Sequence, residues 1–492
     1  MSIRSLLAAA VLGLGLAGEA RAAAVCATTT PQGCGACSGV RFSGGPAEAN
    51  STIQGGVNTL LADGPLTSNS CVVVMDSASF NEEVTVEGFT MNGFRLTIMK
   101  SPGAGGSVSM SPSAGSAAFV IKNASVTILG FDISKPGGPA IPYGIVASSA
   151  YVNIASVTVI AGAANISVAG IRLSSWSSVS HTTAAVSNAH VILLDGEFNT
   201  VDLSSASANN PGKYALFLSG SSSNTVARSD FSTPAGRALG IDNGSNFNVV
   251  SQSTMTAGFA GLPLYVAGSS SNTLTGCLMR SAAGDGGSLG GSYNRVFRST
   301  FTTNENSSYR ALVMGGSDNT ADQVYAENTS GYGARIGGVR NTLSRSTVTS
   351  RGALFSALDI QGSSNTATGV LAYNDFGNGA LFSNGAYNAF VQSTATSKAS
   401  NYPALYFGPA SSWNKADRSY LQNSASTAVF FGDGTSFNTL SQSTAICTGS
   451  LGTAVVMSGV SSNTISGSWI LGHGGQGLRI EGGQWNTVSQ ST

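Results

Sequence analysis

The chain has 492 residues, of which 42% are hydrophobic and 9% charged, and its formal net charge is zero. With so few charges it lacks the basic surface by which proteins bind nucleic acid or anionic membranes. Its hydrophobic content also exceeds that of intrinsically disordered chains. The chain is longer than a domain built around one hydrophobic core, which indicates several domains or a repeat array.

Residues 1–24 have the features of a secretory signal peptide. Arg4 supplies a positive charge, residues 6–16 form a short apolar segment, and the small residues of 20–24 offer cleavage sites. The apolar segment is shorter than the roughly 20 residues that a membrane-spanning helix needs. We therefore expect an exported protein, secreted or held at the cell surface, with no transmembrane segment in the mature chain.

Four of the six cysteines lie in the N-terminal part of the chain: Cys26, Cys34, Cys37 and Cys71. Cys34 and Cys37 have the CxxC spacing of zinc and redox sites, but an exported protein more commonly uses such cysteines in disulfides. We predict that the four form disulfides, with the three possible pairings left open. We expect neither a metal site nor a cofactor.

An asparagine recurs through most of the chain at intervals of 22 to 26 residues. It occupies Asn199, Asn224, Asn248, Asn272, Asn294, Asn319, Asn341, Asn365, Asn388, Asn414, Asn438, Asn463 and Asn486. A fixed period in this range is typical of a solenoid. Asparagine tolerates the left-handed conformation of a tight corner, and its amide can bond to the asparagine of the next coil. We therefore predict a structural asparagine ladder.

Short alternating stretches precede the asparagines, such as YALFLSG at 214–220 and PALYFGP at 403–409. Alternation with period two predicts strands that bury one face. No long helical pattern separates the strands, which excludes leucine-rich and other helix-bearing repeats. The predicted fold is all-β, a right-handed parallel β-helix of ~24 residues per coil. Cys277 and Cys447 lie too many coils apart for a disulfide.

A short amphipathic helix is predicted near the start of the mature chain. Ser51 or Thr52 can serve as its N-cap, and its apolar face is formed by Ile53, Val57, Leu60 and Leu61. The strand CVVVM and the segment FNEEVTV follow. This order resembles the start of pectinesterase- and pectate-lyase-like right-handed β-helix proteins, and the SNT[VIL]xxS units resemble their parallel β-helix repeats. The resemblance covers about residues 45–492 and implies that the helix caps the N-terminal end of the core.

These features divide the chain into a signal peptide at 1–24, a Cys-containing segment with the capping helix at 25–75, and a parallel β-helix at 76–492 that is regular from about 199. The sequence ends within a repeat phrase. We therefore expect an uncapped C-terminal end, as in a fragment of a longer protein.

Enzymes of the superfamily act on acidic polysaccharides through charged side chains, and none of their motifs is present here. Gly472-His473-Gly474 with Arg479 resembles polygalacturonase motifs, but without the accompanying aspartates. Arg335 and Asp359 fall in one outward row, one coil apart, which predicts an exposed ion pair. No catalytic residue is identified.

Aromatic residues recur in the outward row between the buried leucines. They are Phe217, Tyr265, Phe382, Tyr406 and Phe430, the last three in successive coils. An exposed apolar strip usually marks a ligand or partner, and aromatic faces suit sugar rings. We take these five as candidate glycan- or partner-binding residues; the alternative is that neighbouring loops cover them.

The sequence favours an exported, non-enzymatic surface or adhesin-like scaffold that binds polysaccharide or another surface protein. The alternative is a polysaccharide lyase or glycoside hydrolase of the same superfamily, which a cluster of outward Asp, Lys or Arg over two or three coils would favour. Ice binding through outward threonines is disfavoured because bulky residues interrupt the threonines at every second coil.

Overall fold

The computed structural model describes residues 25–28, 49–50, 52–62, 64–75, 77–88, 93–102, 105–135, 138–162, 165–259, 261–304 and 309–492, with side chains from Thr52 onwards. Three parallel sheets, here called A, B and C, wind into about 17 turns of about 24 residues. Each full turn passes through A, then B, then C. The predicted all-β fold, a right-handed parallel β-helix, is confirmed. The predicted signal peptide lies outside the described residues.

Sheet A begins with two antiparallel strands, Val25–Thr28 and Ala49–Asn50. Its parallel strands are Ser70–Val74, Leu96–Lys100, Ser125–Leu129, Tyr151–Ala155, Ser178–Ser180, Thr200–Asp202, Thr225–Ala227, Val249–Ser251, Thr273–Thr275, Arg295–Phe297, Thr320–Asp322, Thr342–Ser344, Thr366–Thr368, Ala389–Val391, Lys415–Asp417, Thr439–Ser441, Thr464–Ser466 and Thr487–Ser489.

Sheets B and C contain the other two strands of each turn. The strands of sheet B are Ala78–Phe80, Val108–Met110, Asp132–Lys135, Thr158–Ala161, Thr183–Val186, Ser205–Ala208, Asp230–Thr233, Thr254–Phe259, Leu278–Ala283, Thr300–Thr303, Tyr325–Asn328, Thr347–Ser350, Leu371–Asn374, Thr394–Ser397, Tyr420–Asn423, Thr444–Cys447 and Trp469–Gly472. Those of sheet C are Val84–Glu87, Phe119–Lys122, Ile141–Ser148, Ile166–Leu173, His190–Leu194, Tyr214–Ser219, Arg237–Asp242, Leu262–Val266, Ser288–Leu289, Arg310–Met314, Tyr332–Ile336, Leu358–Ser363, Ala380–Ala386, Leu405–Phe407, Val429–Phe431, Val455–Ser458 and Leu478–Glu481.

One continuous hydrophobic core fills the space between the sheets. Successive side chains of a strand point to opposite faces, so each strand supplies every second residue to the interior. In one coil the inward side chains are at most 1% exposed: Leu216 and Leu218 on sheet C, Val226 on sheet A and Phe231 on sheet B. These rows extend the core from Ile53 to Ile465.

The repeat asparagines form a hydrogen-bonded ladder at the corner between sheets C and A. From Asn199 to Asn463, each backbone N–H donates to the side-chain oxygen of the asparagine in the next coil, at 2.7–3.0 Å. The side-chain N–H groups donate to backbone oxygens of the preceding coil, as from Asn272 to Ser245 at 2.9 Å. The ladder thus pairs polar groups that would otherwise be buried without partners.

The left-handed backbone conformation falls on neighbours of the asparagines. The residue directly before each asparagine has a positive φ, which is 58° at both Ser223 and Phe247, and so has the residue four positions after it, with 48° at Arg228. Glycine occupies the later position in some coils, for example Gly276. The prediction that asparagine itself adopts this conformation is wrong, because what its position requires is an amide side chain that bonds between coils.

A serine ladder lines the opposite corner, between sheets A and B. The hydroxyl of Ser229 accepts the backbone N–H of Ser204 at 3.1 Å, and that of Ser253 accepts the N–H of Ser229 at 3.2 Å. Cys277 takes the place of serine in one coil. Cys277 and Cys447 are both free and buried, so they act as small packing residues.

The helix Ile53–Ala62 packs against the first coils. Thr52 Oγ accepts a backbone N–H of its first turn at 2.9 Å, and the carboxylate of Glu82 accepts two more at 2.8 and 3.1 Å. Val57 and Leu60 are buried in the common hydrophobic core. The helix therefore covers core residues that a bare first coil would expose to water.

Cys71 is disulfide-bonded. The side chain of Cys26 and the whole of Cys34 and Cys37 lie outside the described residues, so the pairing among the four stays a prediction.

Replacement of Phe407 by alanine should destabilise the coils around it by about 3–5 kcal/mol, because the ring is fully buried and its removal leaves a cavity. Solenoids open locally, so hydrogen exchange of the flanking amides is the appropriate measurement. Tyr420→Ala, which removes an exposed ring on sheet B, is the control and should cost under about 0.5 kcal/mol. Equal effects would contradict the assigned orientation of these strands.

The substitution Asn294→Ala should destabilise its coils by at least ~2 kcal/mol. The Asn294 side-chain oxygen accepts both the backbone and the side-chain N–H of Asn272, each at 3.0 Å, and alanine leaves these buried donors unpaired. Asn401→Ala, at an exposed loop position, is the matched control. Hydrogen exchange of the Asn272 amide reports the loss directly, and unchanged protection would show that the ladder contributes little.

Candidate functional site

The structure places four of the five predicted aromatic residues on the outer face of sheet C. Phe217, Tyr265, Tyr406 and Phe430 point outwards and are half-buried. Phe382 is fully buried and stacks on Phe407 at a centroid distance of 5.1 Å. The prediction that Phe382 belongs to the outward row is therefore wrong.

The misplacement of Phe382 has a simple geometric cause. Leu381 pairs with Tyr406 and takes the outward position in that coil. The outward residue precedes the ladder asparagine by six positions at Asp359, seven at Leu381 and eight at Tyr406. Because the corner varies in length, counting back from the asparagine does not determine the register, and a slip of one residue reverses the face.

Phe217 and Tyr265 belong to a cluster of rings around one arginine. Phe217 stacks on Tyr214 with centroids 4.2 Å apart and planes 7° apart, and His190 lies 5.1 Å from Phe217. The guanidinium of Arg237 lies 4.2 Å from the centre of the Tyr265 ring and donates to the Tyr214 hydroxyl at 2.7 Å. The cluster presents ring surface and one cation along neighbouring coils, with favourable cation–π contacts.

Burial shifts the titration of two members of this cluster. Desolvation, with a further contribution from Lys213, lowers the pKa of His190 to about 4, so the imidazole is neutral at pH 7. Its Nδ1 accepts the backbone N–H of Tyr214 at 3.3 Å. Desolvation also raises the pKa of Tyr214, although the neighbouring Arg237 acts in the opposite direction.

A charged cluster occupies the middle of the same face. Arg335 Nε donates to Asp359 at 2.9 Å, and Arg310 lies 3.8 Å from Asp285. The Tyr332 ring lies between the two arginines, with its centre 5.9 Å from the Arg310 guanidinium and 5.1 Å from that of Arg335. Each arginine thus faces one aspartate, and the cluster as a whole has no net charge.

The pair of Arg335 and Asp359 is an ion pair, as predicted, but it is not exposed. Asp359 is 1% exposed and accepts two further hydrogen bonds, from Gln361 at 2.8 Å and Ser383 at 2.6 Å. These three donors hold the carboxylate in place, so Asp359 positions the arginine more rigidly than a surface pair would.

Asp285, the partner of Arg310, is also largely enclosed by protein. Burial raises the pKa of Asp285, although its backbone hydrogen bond with Arg310 and the charges of Arg310 and Arg335 act against the rise. A carboxyl group of this kind can act as an acid. Hydrolysis by two carboxyl groups requires about 5–10 Å between them, whereas Asp359 lies three coils away, roughly 14 Å at the rise between strands.

Tyr406 and Phe430 form an aromatic surface further along the face. Their ring centres lie 5.4 Å apart in adjacent coils. A Cβ on Gly432 would lie 2.7 Å from the Tyr406 ring, so the ring occupies the space that the glycine leaves over the next strand. Both rings stay half-buried on the outer face of the sheet.

The arginines of the corner between sheets A and B are largely neutralised. Arg228 donates to Asp202 at 2.9 Å, Arg345 to Asp322 at 2.8 Å. Arg418 likewise donates to Asp417 at 2.9 Å. This corner therefore lacks the row of free positive charges that would bind an anionic polymer.

Sequence reasoning missed a second row of rings, at the position directly before the ladder position of each coil, which is held by Val152, by Ser177 and, from Asn199 onwards, by asparagine. These rings are Tyr151, Trp176, Phe198, Phe247, Tyr293, Tyr387, Trp413, Phe437 and Trp485, and they are 38–79% exposed. We call this position the corner row. The signal was present in the phrases FNTLSQST and WNTVSQST, where an aromatic residue stands before the asparagine.

The described residues include neither a candidate metal site nor a candidate membrane-spanning helix. No group of three His, Cys, Asp or Glu side chains in these ranges is placed to hold a metal ion. Within the same part of the chain, no helix is long and apolar enough to cross a membrane.

No protein-family model and no curated protein sequence matches the chain. Among solved structures it is similar to pectate lyase Pel9A, with 14% identity over 65% of this chain and 71% of that chain and a TM-score of 0.26. It is also similar to the A-module of the mannuronan C-5 epimerase AlgE6 of Azotobacter vinelandii, with 12% identity over 89% and 93% and a TM-score of 0.29. A third similar structure is the PL6 family alginate lyase AlyGC, with 8% identity over 89% of this chain and 99% of that chain and a TM-score of 0.29.

With identities this low the similarity concerns the fold alone, and the assignment of the fold rests on the strand pairing itself. The parallel β-helix that the resemblance to pectate-lyase-like proteins implies is confirmed by that pairing.

Replacement of His190 by asparagine should make the stability less sensitive to acid. The pKa of His190 is about 4 in the folded protein against a usual 6.5, so between these values the unfolded chain binds a proton that the folded chain does not. Stability should therefore fall as the pH drops from 6.5 towards 4 and be unaffected by this group above 6.5.

The measurement is the melting temperature of the wild-type and His190→Asn proteins at pH 7.5 and 4.5. The carboxylates contribute equally to the acid sensitivity of the two proteins, so they do not affect the comparison. We expect the difference between the two pH values to be smaller in the variant, and an equal difference would place His190 in contact with solvent.

Proposed function

We propose that the chain is an exported polysaccharide-binding scaffold whose binding surface is the outer face of sheet C. The observation that supports this most is the aromatic surface of Tyr406 and Phe430, two half-buried outward rings of adjacent coils whose centres lie 5.4 Å apart. Flat apolar rings match the apolar faces of sugar rings.

The dimensions of the face suit a linear polymer. Phe217 and Phe430 stand in the same row, nine coils apart, which is roughly 43 Å at the spacing of strands. Rings lie at both ends of this strip and hydrogen-bonding side chains lie between them. A glycan that runs along the solenoid axis would contact both.

The balance of charge favours a neutral or weakly charged glycan. Arg310 and Arg335 each face an aspartate, so neither offers a free positive charge to a carboxylate or sulfate group. Binding should therefore depend little on salt, in contrast to the recognition of a polyanion.

Export is supported by the signal-peptide features at 1–24 and by the disulfide at Cys71. Disulfides persist in oxidising compartments and are rare in the cytosol.

A polysaccharide lyase or glycoside hydrolase is the second candidate. The charged cluster of Asp285, Arg310, Tyr332, Arg335 and Asp359 favours it, because it is a group of outward Asp and Arg over neighbouring coils. The separation of the two carboxyl groups counts against hydrolysis, and the arginines are already paired. Binding without cleavage is thus the better account of this face.

The double variant Tyr406→Ala/Phe430→Ala should lose roughly tenfold in affinity for a retained polysaccharide, since each stacked ring contributes about 0.5–1.5 kcal/mol. Retention is measured by affinity electrophoresis of the mature chain in plant, algal and bacterial polysaccharides. Tyr420→Ala, an exposed ring on sheet B, is the control. Wild-type retention of the double variant would overturn the proposed surface.

The same incubations are assayed for new reducing and unsaturated ends. Product ends that disappear in Arg310→Gln would replace the binding proposal by the enzymatic one. Retention without product ends is the expected result.

A further inference from the structure

The corner row is a straight line of exposed side chains along the solenoid. From Trp176 onwards each member directly precedes a ladder position and has a positive φ. The register of sheet A extends the row backwards to Tyr151, Ser125, Arg95 and Asn69. Bulky residues are uncommon in the left-handed conformation, so repeated rings here point to a use for their surface.

Neighbouring rings in the row stack along the solenoid axis. Trp413 and Phe437 have centroids 4.3 Å apart and planes 4° apart, and Trp176 and Phe198 have centroids 4.3 Å apart and planes 23° apart. The ring planes therefore lie across the axis, and their faces point to the coils before and after. A glycan that ran along the axis would meet ring edges only.

The exposed aromatic area is that of a protein interface. The eight rings from Tyr151 to Phe437 are 38–63% exposed. At 150–250 Å² per ring they leave roughly 600–1,000 Å² uncovered, against about 800 Å² per partner in a standard interface. Single monomers rarely expose so much apolar surface in one line.

The rings and the small or polar residues of the row follow one another in an order that is self-complementary. If a second copy runs antiparallel, with Phe247 opposite Ser271, every ring between Asn69 and Phe437 faces a residue without a ring. The pairs are Phe247 with Ser271, Tyr293 with Ser223, Phe198 with Asp318, Trp176 with Arg340, Tyr151 with Ser364, Tyr387 with Ser125, Trp413 with Arg95, and Phe437 with Asn69.

We propose that the corner row is the interface of an antiparallel two-fold dimer, in which the rings of two copies interleave into one continuous aromatic stack. At the height of each coil along the axis, one copy contributes a ring and the other copy contributes a residue without a ring. Successive rings of the combined stack are therefore one coil apart, about 4.8 Å. This spacing lies within the range of centroid distances at which aromatic pairs attract. A two-fold interface of one patch with itself is the commonest form of homodimer.

Two details of the pairing fit the same register. Both arginines of this part of the row, Arg95 and Arg340, stand opposite its two tryptophans, so that a flexible side chain and not a second ring lies beside each indole. A cleft of about 520 Å³ lies beside Asn69, Arg95 and Ser125, the positions that receive Tyr387, Trp413 and Phe437 of the second copy. The chain has no net charge, so two copies do not repel.

The dimer is independent of the proposed polysaccharide binding, because the corner row shares no residue with the outer face of sheet C. The first test is the mass in solution, by sedimentation velocity of the full mature chain between ~1 and 100 μM. We expect the wild type to have twice the mass of one chain, and the Phe247→Ser/Tyr293→Ser variant to have the mass of one chain. Serine occupies the same position in other coils, so these changes should leave the fold intact.

Phe259→Ser removes an exposed ring outside the row and should leave the dimer unchanged. A monomeric wild type over this range would overturn the proposal. So would loss of polysaccharide retention in Phe247→Ser/Tyr293→Ser with no change in mass, which would make the row a glycan surface.

The register is tested by single cysteines in separate copies. A mixture of Ser223→Cys and Tyr293→Cys proteins should form an intermolecular disulfide, whereas Ser364→Cys mixed with Tyr293→Cys should not. The native Cys277 and Cys447 are buried and free, so they should not react. A disulfide in Ser223→Cys alone would indicate parallel copies and would overturn the antiparallel arrangement.

Discussion

Hydrogen bonding from each coil to the next is the constraint on which the rest of the molecule depends. In the coils, each strand pairs in parallel with its counterpart one turn away, so equivalent side chains stack in rows at about 4.8 Å. The corners must follow the same rule although they are not strands. Asparagine and serine satisfy it there, because their side chains accept backbone N–H groups of the preceding coil.

The rows that follow from this constraint differ in what they expose. The inner rows bury large apolar residues, and aromatic rings stack there as well, with Phe407 and Phe431 4.4 Å apart. Outside, rings and charges also stand in rows, among them the outer row of sheet C, the corner row and the arginines of the corner between sheets A and B. A periodic scaffold thus places similar groups in a line, which suits partners that are themselves linear or periodic.

The charges on sheet C illustrate how burial changes the meaning of a motif. An exposed pair of Arg335 and Asp359 would contribute little to stability or recognition. In the structure Asp359 is enclosed by three donors, and breaking such a pair leaves a buried charge without a partner. The pair therefore holds the arginine in place beside Tyr332. Because the charges of the pair cancel, the face favours neutral ligands over anionic ones.

The sequence by itself determined the class of fold, the positions of the asparagines and the outward orientation of Phe217, Tyr265, Tyr406 and Phe430, because period-two alternation and the coil period are local patterns. It did not determine the face of Phe382, since corners of variable length hide the register. Nor did it reveal the cluster around Arg237, the burial of Asp359 or the left-handed residues beside the asparagines. Those depend on which residues of neighbouring coils meet, and only the stacking of the coils decides that.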